Sequence, residues 1–357
     1  MLSAPVQPTL ESAPGRMEHR CMSEPDSIRI RPVRNDDVDA LLALARGSGP
    51  GFTNLPADRD ILRERIERSD ALLAGEELGG AIILGLEVGG RVRGCGMVFP
   101  RIGVDWPFYS YRISYTTQRS SIDGRMVRFP VLTLTNDLED CAEVGGLIVD
   151  PTLRRGGYGR MIARSRYLFI GCHRADFGKR VIADLRGWLD QGRSPFWDAV
   201  GGRFYAMSFA EADHINATTG NQFIADLGPR APIYVNMLSE EAQQAIGRVH
   251  DDGRGAHALL VEEGFRDDGY VDIFDAGPTM IAMIDDLKAI RTLHHASYAG
   301  SRDGDPLHDH LIAHGKGAGF RCAPGSIEAA GGQAVTDPAS AALLGLSEGD
   351  PIGYLAI

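Results

Sequence analysis

The sequence predicts an α/β protein in which a mixed, twisted sheet has helices on both sides, and three observations lead to this fold class. An alternating strand at 28–33 is followed by a helix with one apolar face. Two strand-like runs are joined by Gly89-Gly90, a pair typical of hairpin turns. A third apolar strand, ending at Val149, leads through a glycine-rich loop into another amphipathic helix. Strands interleaved with helices in this order bury a sheet between two helical layers.

The first half of the chain supplies most of the predicted strands. The opening helix has capping candidates at 35–37 and an apolar face at Val38, Leu41, Leu42 and Ala45. A glycine-rich loop at 47–56 ends this helix, and a second helix follows with Ile61, Leu62 and Ile66. We expect strands at 81–88, 91–99, 108–116 and 128–135.

The second half alternates more evenly between strands and helices. The predicted elements are a strand at 142–149, a helix at 159–172, ordered segments at 181–189 and 196–207, helices at 239–248 and 255–263, and a last strand at 270–274. We therefore predict a flexible tail at 1–27, one α/β domain at 28–293, a linker rich in Gly, His and Asp at 294–319, and a small C-terminal β-rich piece at 320–357.

Composition excludes several classes of function. The formal net charge of -11 over 357 residues argues against nucleic-acid binding, which depends on Lys and Arg neutralising phosphates. No apolar run approaches the roughly 20 residues that cross a bilayer, and the first residues lack the pattern of a secretory signal. The five cysteines are scattered and odd in number, which indicates reduced thiols. We expect a cytoplasmic protein without a membrane partner.

The segment with the clearest chemistry runs from Gly146 to Arg160 and contains the pattern Arg154-x-x-Gly157-x-Gly159 between a strand and a helix. Glycines lack a Cβ, so successive backbone N–H groups can point at a pyrophosphate lying on the positive end of the helix. The spacing differs from the G-x-G-x-x-G of dinucleotide sites. The pattern predicts a phosphate-binding loop, although an incidental glycine-rich turn with solvated arginines stays possible.

This strand, loop and helix resemble the acyl-CoA site of the GNAT superfamily of N-acyltransferases. The later segment 255–265, a helix ending in Gly264-Phe265, resembles another superfamily feature. The resemblance implies that the strand before the loop is splayed from its neighbour and that its backbone binds the pantetheine arm. It assigns acyl-CoA contacts to Leu147, Val149, Arg154, Arg155, Gly156, Gly157, Tyr158 and Gly159.

Within the superfamily, the chain is similar to bacterial arginine N-succinyltransferases over roughly residues 28–291. The segments that carry this similarity are 30–33, 52–56, 106–112, 134–137, 181–187, 194–197, 232–234, 238–243, 246–250 and 273–279. The resemblance implies transfer of succinyl from succinyl-CoA to the α-amino group of L-arginine in arginine catabolism, with no permanently bound cofactor. Family members occur as homo-oligomers or as pairs of related subunits.

The family has a His as proton donor, which corresponds to His250, and a succinyl-CoA contact, which corresponds to Leu147. An imidazole titrates near neutrality and can deliver or collect protons. His250 could instead cap the carbonyls at the end of the preceding helix. The acidic turn Asp251-Asp252-Gly253 that follows is unexpected for the family, and it leaves the role of His250 open between acid, base and both.

The residues that hold arginine are less clearly indicated. A guanidinium prefers a bidentate carboxylate and the substrate carboxylate needs a cation, so Asp184 and Arg186 are candidates, with a structural ion pair between them as the alternative. Asn136 and Asp137 are further candidates. We expect the loop at 49–56 to cover the acceptor pocket.

Other polar groups carry less weight. His308, His310 and His314 lie in the predicted linker, so we expect no metal site. Cys141 is expected to be a buried thiol, because direct attack by an amine needs no nucleophilic cysteine. Two alternatives stay open: an acyltransferase with another acceptor or donor, such as ornithine or acetyl-CoA, and a non-catalytic module that binds acyl-CoA.

Overall fold

The computed structural model describes residues 27–47, 54–154, 156–302 and 308–357, with the side chains of 217–219 outside the description. Over these residues the strands are β1 (Ile28–Pro32), β2 (Ile82–Val88), β3 (Arg91–Phe99), β4 (Ser110–Arg119), β5 (Met126–Thr135), β6 (Ala142–Val149), β7 (Arg180–Asp184), β8 (Ile233–Tyr234), β9 (Arg266–Val271), β10 (Pro278–Met283), β11 (His294–Ser301), β12 (His310–His314), β13 (Arg321–Gly325), β14 (Ile327–Ala330), β15 (Gln333–Thr336) and β16 (Pro351–Ala356). The α-helices are α1 (Val38–Gly47), α2 (Arg59–Ala74), α3 (Tyr158–Cys172), α4 (Pro195–Ala199), α5 (Gly201–Tyr205), α6 (Phe209–Thr219), α7 (Gln222–Leu227), α8 (Glu240–Ala245), α9 (Arg254–Glu263), α10 (Lys288–Arg291) and α11 (Pro338–Leu344).

All of these strands belong to one continuous sheet. Its order is β14-β15-β11-β16-β12-β13-β1-β2-β3-β6-β7-β10-β9-β4-β5-β8. Neighbouring strands are antiparallel except for β6 with β7 and β11 with β15, so the sheet is mixed, as predicted. The central seven strands, from β1 to β9 in this order, lie between the C-terminal strands on one side and the β4–β5 hairpin on the other.

Two helical layers cover the central strands because their residues alternate between the two faces. Ile83 of β2 packs with Leu41 of α1 and Leu62 of α2 on one face. Ile82, one residue earlier, packs on the other face in the core that contains Ile162 of α3. Buried residues run from Met161 to Ile170 without interruption, which shows that α3 is enclosed on all sides.

The predicted linker at 294–319 is wrong. This stretch contains β11 and β12, which pair with β16, and β12 also pairs with β13. Its Gly, His and Asp content suggested a loop, but pairing with distant strands decided its structure. The His294 ring also stacks on Tyr354 of β16. The C-terminal strands also join the main sheet, because Cys322 of β13 pairs with Ile30 of β1. The predicted tail lies outside the described residues except for Ser27.

The other differences concern single elements. The expected last strand at 270–274 overlaps β9 only at 270–271, because the chain turns at 272–277 and pairs back on itself as β10, which was not predicted. Likewise, β7 ends at Asp184, five residues before the predicted end of that segment.

Candidate active site

The site begins where two parallel strands separate. β6 pairs with β7 only at Ala142 with Val181 and at Glu143 with Ile182. β6 then continues to Val149, paired with β3 alone, while β7 pairs with β10 up to Asp184. In the described part of the chain, the β6 edge beyond Glu143 therefore has no strand partner on the side of β7. Unpaired backbone groups at such an edge can bond an extended ligand.

A bulge in β6 lies within this open edge. The register of β3 against β6 shifts between Cys95 and Met97, and Gly146 has a φ of 55°. A Cβ on Gly146 would lie 2.6 Å from the Met97 side chain, so only glycine fits. The bulge re-aims the backbone of the next residue, Leu147.

The predicted phosphate loop follows β6. Asp150 closes its first turn by accepting a hydrogen bond from the Thr152 N–H at 2.9 Å and pairs with Arg93 at 2.9 Å. Gly157, with a φ of 81°, caps α3, and a Cβ on Gly157 or Gly159 would point into open space. The first N–H groups of a helix have no intrahelical acceptor, so this end of α3 can bind an anion.

The remaining loop residues frame this open space. The Tyr158 ring lies over Gly156, where a Cβ would come within 2.6 Å of the ring. Arg154 is exposed, and its guanidinium has no hydrogen bond or ion pair within the described residues. Arg155 lies outside the described residues.

His250 lies beside the chain leaving β7. Its backbone N–H donates to the Arg186 carbonyl at 2.9 Å, and Gly187 forms a bridge with Val249. The Nδ1 atom accepts a hydrogen bond from the Asp252 N–H at 3.2 Å. The ring therefore caps the N-terminus of the turn Asp251–Gly253, and the alternative that it caps the end of the preceding helix is wrong. A neutral imidazole that accepts through Nδ1 carries its proton on Nε2.

Leu147 and Val149 border the same core as Val249, the residue before His250. Both pack, with Val249, against the hydrophobic core beneath α3 and α9. The open edge of β6 and the turn that holds His250 thus border the same core.

A row of polar residues crosses the sheet on the side of α1 and α2. Asp184 of β7 lies opposite Thr279 of β10, Thr279 opposite Tyr270 of β9, and Tyr270 opposite Arg112 of β4. Directly paired residues point to the same face of a sheet. Glu143 belongs to the same face, because its partner Ile182 precedes Asp184 by two positions. We call this set of five polar residues, Glu143, Asp184, Thr279, Tyr270 and Arg112, the polar face.

The α1–α2 connection reaches one end of the polar face. The Asn54 amide nitrogen and a Glu143 carboxyl oxygen each lie 3.1 Å from the position that a Cβ on Gly145 would occupy. The Asn54 carbonyl accepts a hydrogen bond from Arg65 at 2.6 Å, which ties this residue to α2. Of the loop predicted to cover the acceptor pocket, residues 49–53 lie outside the described residues.

The carboxyl groups of this region have unusual pKa values. Burial raises the pKa of Glu143 to about 8, with repulsion from Asp184 adding to the effect and Arg166 opposing it. Burial and the charge of Asp272 raise the pKa of Asp184 to about 7, although a hydrogen bond from Thr279 opposes the shift. Burial and Asp275 raise the pKa of Asp272 to about 8. These carboxyls titrate near neutral pH, which is typical of functional sites.

The structure separates the predicted substrate-binding residues into two groups. Asp184 and Arg186 form no ion pair with each other, because Asp184 binds Thr279 and Arg186 lies beyond the end of β7. Asp137 accepts a hydrogen bond from the Tyr270 hydroxyl at 2.8 Å and meets Arg112 at 3.5 Å, while Asn136 donates to Glu139 at 3.0 Å.

Sequence reasoning missed Glu143 and Asp272. A charged residue inside the apolar run Cys141–Val149 was the available indication for Glu143. Asp272 follows β9 and its Oδ1 accepts hydrogen bonds from two turn N–H groups, so it resembled an ordinary turn residue.

No group of three or more His, Cys, Asp or Glu that could hold a metal occurs in the described ranges. No helix among them is long and apolar enough to cross a membrane. Cys141 is a buried free thiol, and burial raises its pKa.

Comparison with known proteins identifies the family of this chain. Residues 28–289 match the family described as arginine N-succinyltransferase beta subunit, and residues 296–356 match its C-terminal domain. A relative from Pseudomonas aeruginosa, arginine N-succinyltransferase subunit beta, is 38% identical over 324 residues, which cover 90% of this chain and 95% of that one. Arginine N-succinyltransferase from Citrobacter koseri is 40% identical over 267 residues, covering 73% and 78%.

A solved structure gives the same result for the fold. The arginine/ornithine succinyltransferase subunit AI from Pseudomonas aeruginosa matches with a TM-score of 0.81 and 30% identity, covering 93% of this chain and 99% of that one. The match confirms the mixed α/β fold predicted from the sequence. The family match spans both the main domain and the C-terminal strands, and the chain therefore belongs to the arginine N-succinyltransferase family.

Proposed function

We propose that this protein transfers the succinyl group of succinyl-CoA to the α-amino group of L-arginine in arginine catabolism, with no permanently bound cofactor. The observation that carries the proposal is the open edge of β6, which leads into a helix N-terminus and borders the same core as Val249, the residue before His250. Family membership and the names of the relatives support arginine and succinyl transfer.

The donor would lie along β6. The diphosphate of CoA binds the N–H groups at Gly157, Tyr158 and Gly159, since the Gly156 N–H already donates to the Leu153 carbonyl at 3.3 Å. Arg154 and Arg155 add positive charge. The pantetheine arm then runs along the backbone of Val149 and Leu147, as an added strand would. This places the thioester near the bulge, where a backbone N–H can stabilise the oxyanion.

The acceptor would approach from the polar face. Glu143 is suited to remove a proton from the α-ammonium group, because its carboxyl accepts no hydrogen bond within the described residues and its pKa is raised to about 8. The neutral amine attacks the thioester carbonyl, the C–N bond forms and the C–S bond breaks. The nitrogen then loses its second proton, which passes by way of His250 Nε2 to the departing thiolate, so that the ring ends neutral and CoA leaves as the thiol.

Four polar residues are proposed to hold the acceptor and the charged ends of the substrates: Asn136, Asp137, Asp184 and Arg186. Asp184 lies deepest, while Asn136 and Asp137 are at the exposed end of the polar face. The guanidinium of Arg186 forms no hydrogen bond or ion pair in the described ranges and acts there through its charge on Asp213, so we propose that it binds a substrate carboxylate.

A coupled thiol-release assay tests the proposal directly. Succinyl-CoA and acetyl-CoA are each combined with arginine and with ornithine, and kcat/KM is measured for all four pairs. The highest value is expected for succinyl-CoA with arginine. Ornithine is the second candidate acceptor, because the related solved structure is described as an arginine/ornithine enzyme. Absence of thiol release with every pair would favour a non-catalytic module that binds acyl-CoA.

We further propose that the protein acts as a homo-oligomer or together with a related subunit. From Tyr115 with Pro130 to Arg119 with Met126, the β4–β5 hairpin pairs with no third strand among the described residues. It exposes Tyr115, Ile122, Met126 and Val127, and Ile122 is 95% exposed. An isolated two-stranded hairpin is marginally stable, so this apolar arm is suited to dock on a partner.

Sedimentation of the wild type and of an Ile122→Glu variant tests the oligomer, with dissociation expected in the variant. A wild type that sediments as a monomer at micromolar concentration would contradict self-association.

A cytoplasmic location is proposed as well, in keeping with the free thiols Cys95, Cys141, Cys172 and Cys322.

A further inference from the structure

Three carboxyl groups come together without a matching cation: Glu143 and Asp184 of the polar face, and Asp272 at the end of β9. Glu143, Asp184 and Asp272 come from three different strands or strand ends. The charge of Asp184 raises the pKa of Glu143, and the charge of Asp272 raises the pKa of Asp184. None of the three forms an ion pair with Lys, Arg or His within the described residues. Buried charges without partners are costly, so such a cluster needs either protons or a bound cation.

The charged neighbours of the cluster do not remove this imbalance. Arg166 is the cation that acts on Glu143, and it donates to the Gly145 carbonyl at 3.0 Å from the opposite side of the sheet. Asp275 adds a fourth carboxyl, but its two oxygens accept hydrogen bonds from the N–H groups of Gly187 and Gly277, each at 2.8 Å. The local charge stays negative when the carboxyls ionise.

A second observation, independent of the acids, points to a missing ligand. Ser110 is 1% exposed, and its hydroxyl has no hydrogen-bond partner in the described part of the chain. Because Tyr111 pairs with Val271 and Arg112 with Tyr270, the same register places Ser110 opposite Asp272. Ser110 also precedes Arg112 by two positions, so its hydroxyl points to the polar face. A buried hydroxyl without a partner is rare unless a ligand bonds it.

We propose that Asp184 and Asp272, with the Ser110 hydroxyl, form the subsite for the cationic side chain of a basic amino acid acceptor. This inference rests on the proposed function and goes beyond it by naming the groups that select the side chain. A guanidinium has five donors in a planar fork and can bridge two carboxylates, which a compact ammonium group does less well. The α-amino group of the same acceptor then lies toward Glu143 and the open edge of β6.

The test compares arginine with citrulline, in which an uncharged urea replaces the guanidinium at nearly the same size. The measured quantity is the ratio of kcat/KM for the two acceptors, with succinyl-CoA as donor, in the wild type, Asp184→Asn and Asp272→Asn. The wild type is expected to favour arginine by roughly 30-fold or more, and each variant is expected to lower that ratio by about tenfold or more. The change should appear in the KM for arginine, with the KM for succinyl-CoA unaltered.

Two controls separate this subsite from general effects. Asp285→Asn removes an exposed carboxylate that pairs with Arg174 and should leave the ratio unchanged. Ser110→Ala keeps every charge and should weaken arginine binding by roughly 3-fold to 30-fold through the loss of one hydrogen bond to a charged group. If Asp184→Asn or Asp272→Asn fails to fold, the Ser110 variant still decides the question.

Calorimetry gives a second readout that does not depend on turnover. Arginine is titrated into the wild-type protein with CoA present, in two buffers of different ionisation enthalpy at pH 7. Since the carboxyls are partly protonated at this pH, binding of a cation should release protons. Either of two results would overturn the subsite. One is the same ratio of kcat/KM for arginine and citrulline in the wild type and in the folded Asp184 and Asp272 variants; the other is arginine binding without proton release. Absence of succinyl transfer to any amino acid would instead refute the proposed function, while calorimetry would still test the subsite.

Discussion

The Nδ1 atom of His250 accepts a hydrogen bond from the backbone N–H of Asp252 at 3.2 Å. This contact leaves the proton of the neutral ring on Nε2, the atom free to meet a substrate. The Asp252 carboxylate is 3.7 Å from Nδ1 and its side chain is 92% exposed, so it adds little to the contact.

His250→Ala should lower kcat by about two to four orders of magnitude, because the thiolate would lose its proton donor. Affinity for succinyl-CoA, measured by calorimetry, should change little. His294→Ala, at an exposed imidazole of the C-terminal strands, serves as the control and should leave kcat unchanged. Near-normal turnover in His250→Ala would limit this residue to capping its turn and turn attention to the Tyr270 hydroxyl.

The raised pKa of Glu143 predicts how kcat/KM for arginine depends on pH. Burial raises the pKa of Glu143 to about 8, and only the ionised carboxylate can accept a proton. The wild-type kcat/KM for arginine should therefore rise with pH through about 8, and Glu143→Gln should lose both this rise and most of the activity. Glu328→Gln, at an exposed carboxylate of the C-terminal strands that pairs with Arg302, is the control. A Glu143→Gln enzyme with the wild-type pH profile would exclude Glu143 as the base.

Gly157→Asp should weaken CoA binding, because a carboxylate would intrude where the diphosphate is proposed to bind. The backbone φ of Gly157 is 81°, so part of any loss comes from strain. Gly331→Asp introduces the same side chain at a φ of 60° in an open turn and corrects for that strain. Unaltered CoA affinity in a folded Gly157→Asp protein would remove this loop from the donor site.

Discrimination between donors should depend on a cation that binds the distal succinyl carboxylate. Leaving such a cation unpaired costs about 2 to 5 kcal/mol, so succinyl-CoA should exceed acetyl-CoA in kcat/KM by roughly 30-fold to several thousand-fold. Arg186→Met should lower the value for succinyl-CoA and leave that for acetyl-CoA unchanged.

Two further variants complete this donor comparison. Arg248→Met removes an exposed guanidinium that stacks on Trp188 and is the control. Arg112 is the other candidate, although Tyr270 and Asp137 already hold it. Equal kcat/KM for both donors in the wild type would contradict a dedicated carboxylate site.

His173 links α3 to the C-terminal strands and makes stability depend on pH. Its Nδ1 is 2.9 Å from the Phe169 carbonyl, its Nε2 accepts the Gly317 N–H at 3.1 Å, and burial lowers its pKa below 6.5. As the pH falls through 6.5, the unfolded chain binds more protons than the folded chain. The stability that neutral His173 contributes is therefore present above this pH and is lost as the pH falls below it.

His173→Phe keeps a ring against Phe169 but cannot titrate. The free energy of unfolding in urea should fall between pH 7.5 and 5.5 by more in the wild type than in this variant. Carboxyl groups with a raised pKa, such as Glu143, change the stability in the opposite direction, but they are present in both proteins. The difference between the two pH dependences of the free energy of unfolding therefore reports on His173 alone. The same fall in both proteins would rule out a contribution from His173.

Local pattern was sufficient for β6, the turn and α3. These elements follow one another within about thirty residues, so apolar alternation, glycines and helix spacing indicated them directly, whereas the open edge of β6 was implied by the superfamily resemblance. The helices α1, α3 and α9 were predicted for the same reason. The segment at 294–319 was not, because its strands gain their hydrogen bonds from residues far away in the chain.

The sequence by itself indicated the glycine-rich turn at Gly157, because that turn depends on neighbouring residues, and the family resemblance made His250 a candidate. Only the tertiary structure decided that Glu143, Asp184 and Asp272 share one face with Ser110. These residues come from four strands or strand ends, and each could point to either face of its strand. Long-range register fixes that choice, since a shift of one residue turns a side chain to the opposite face.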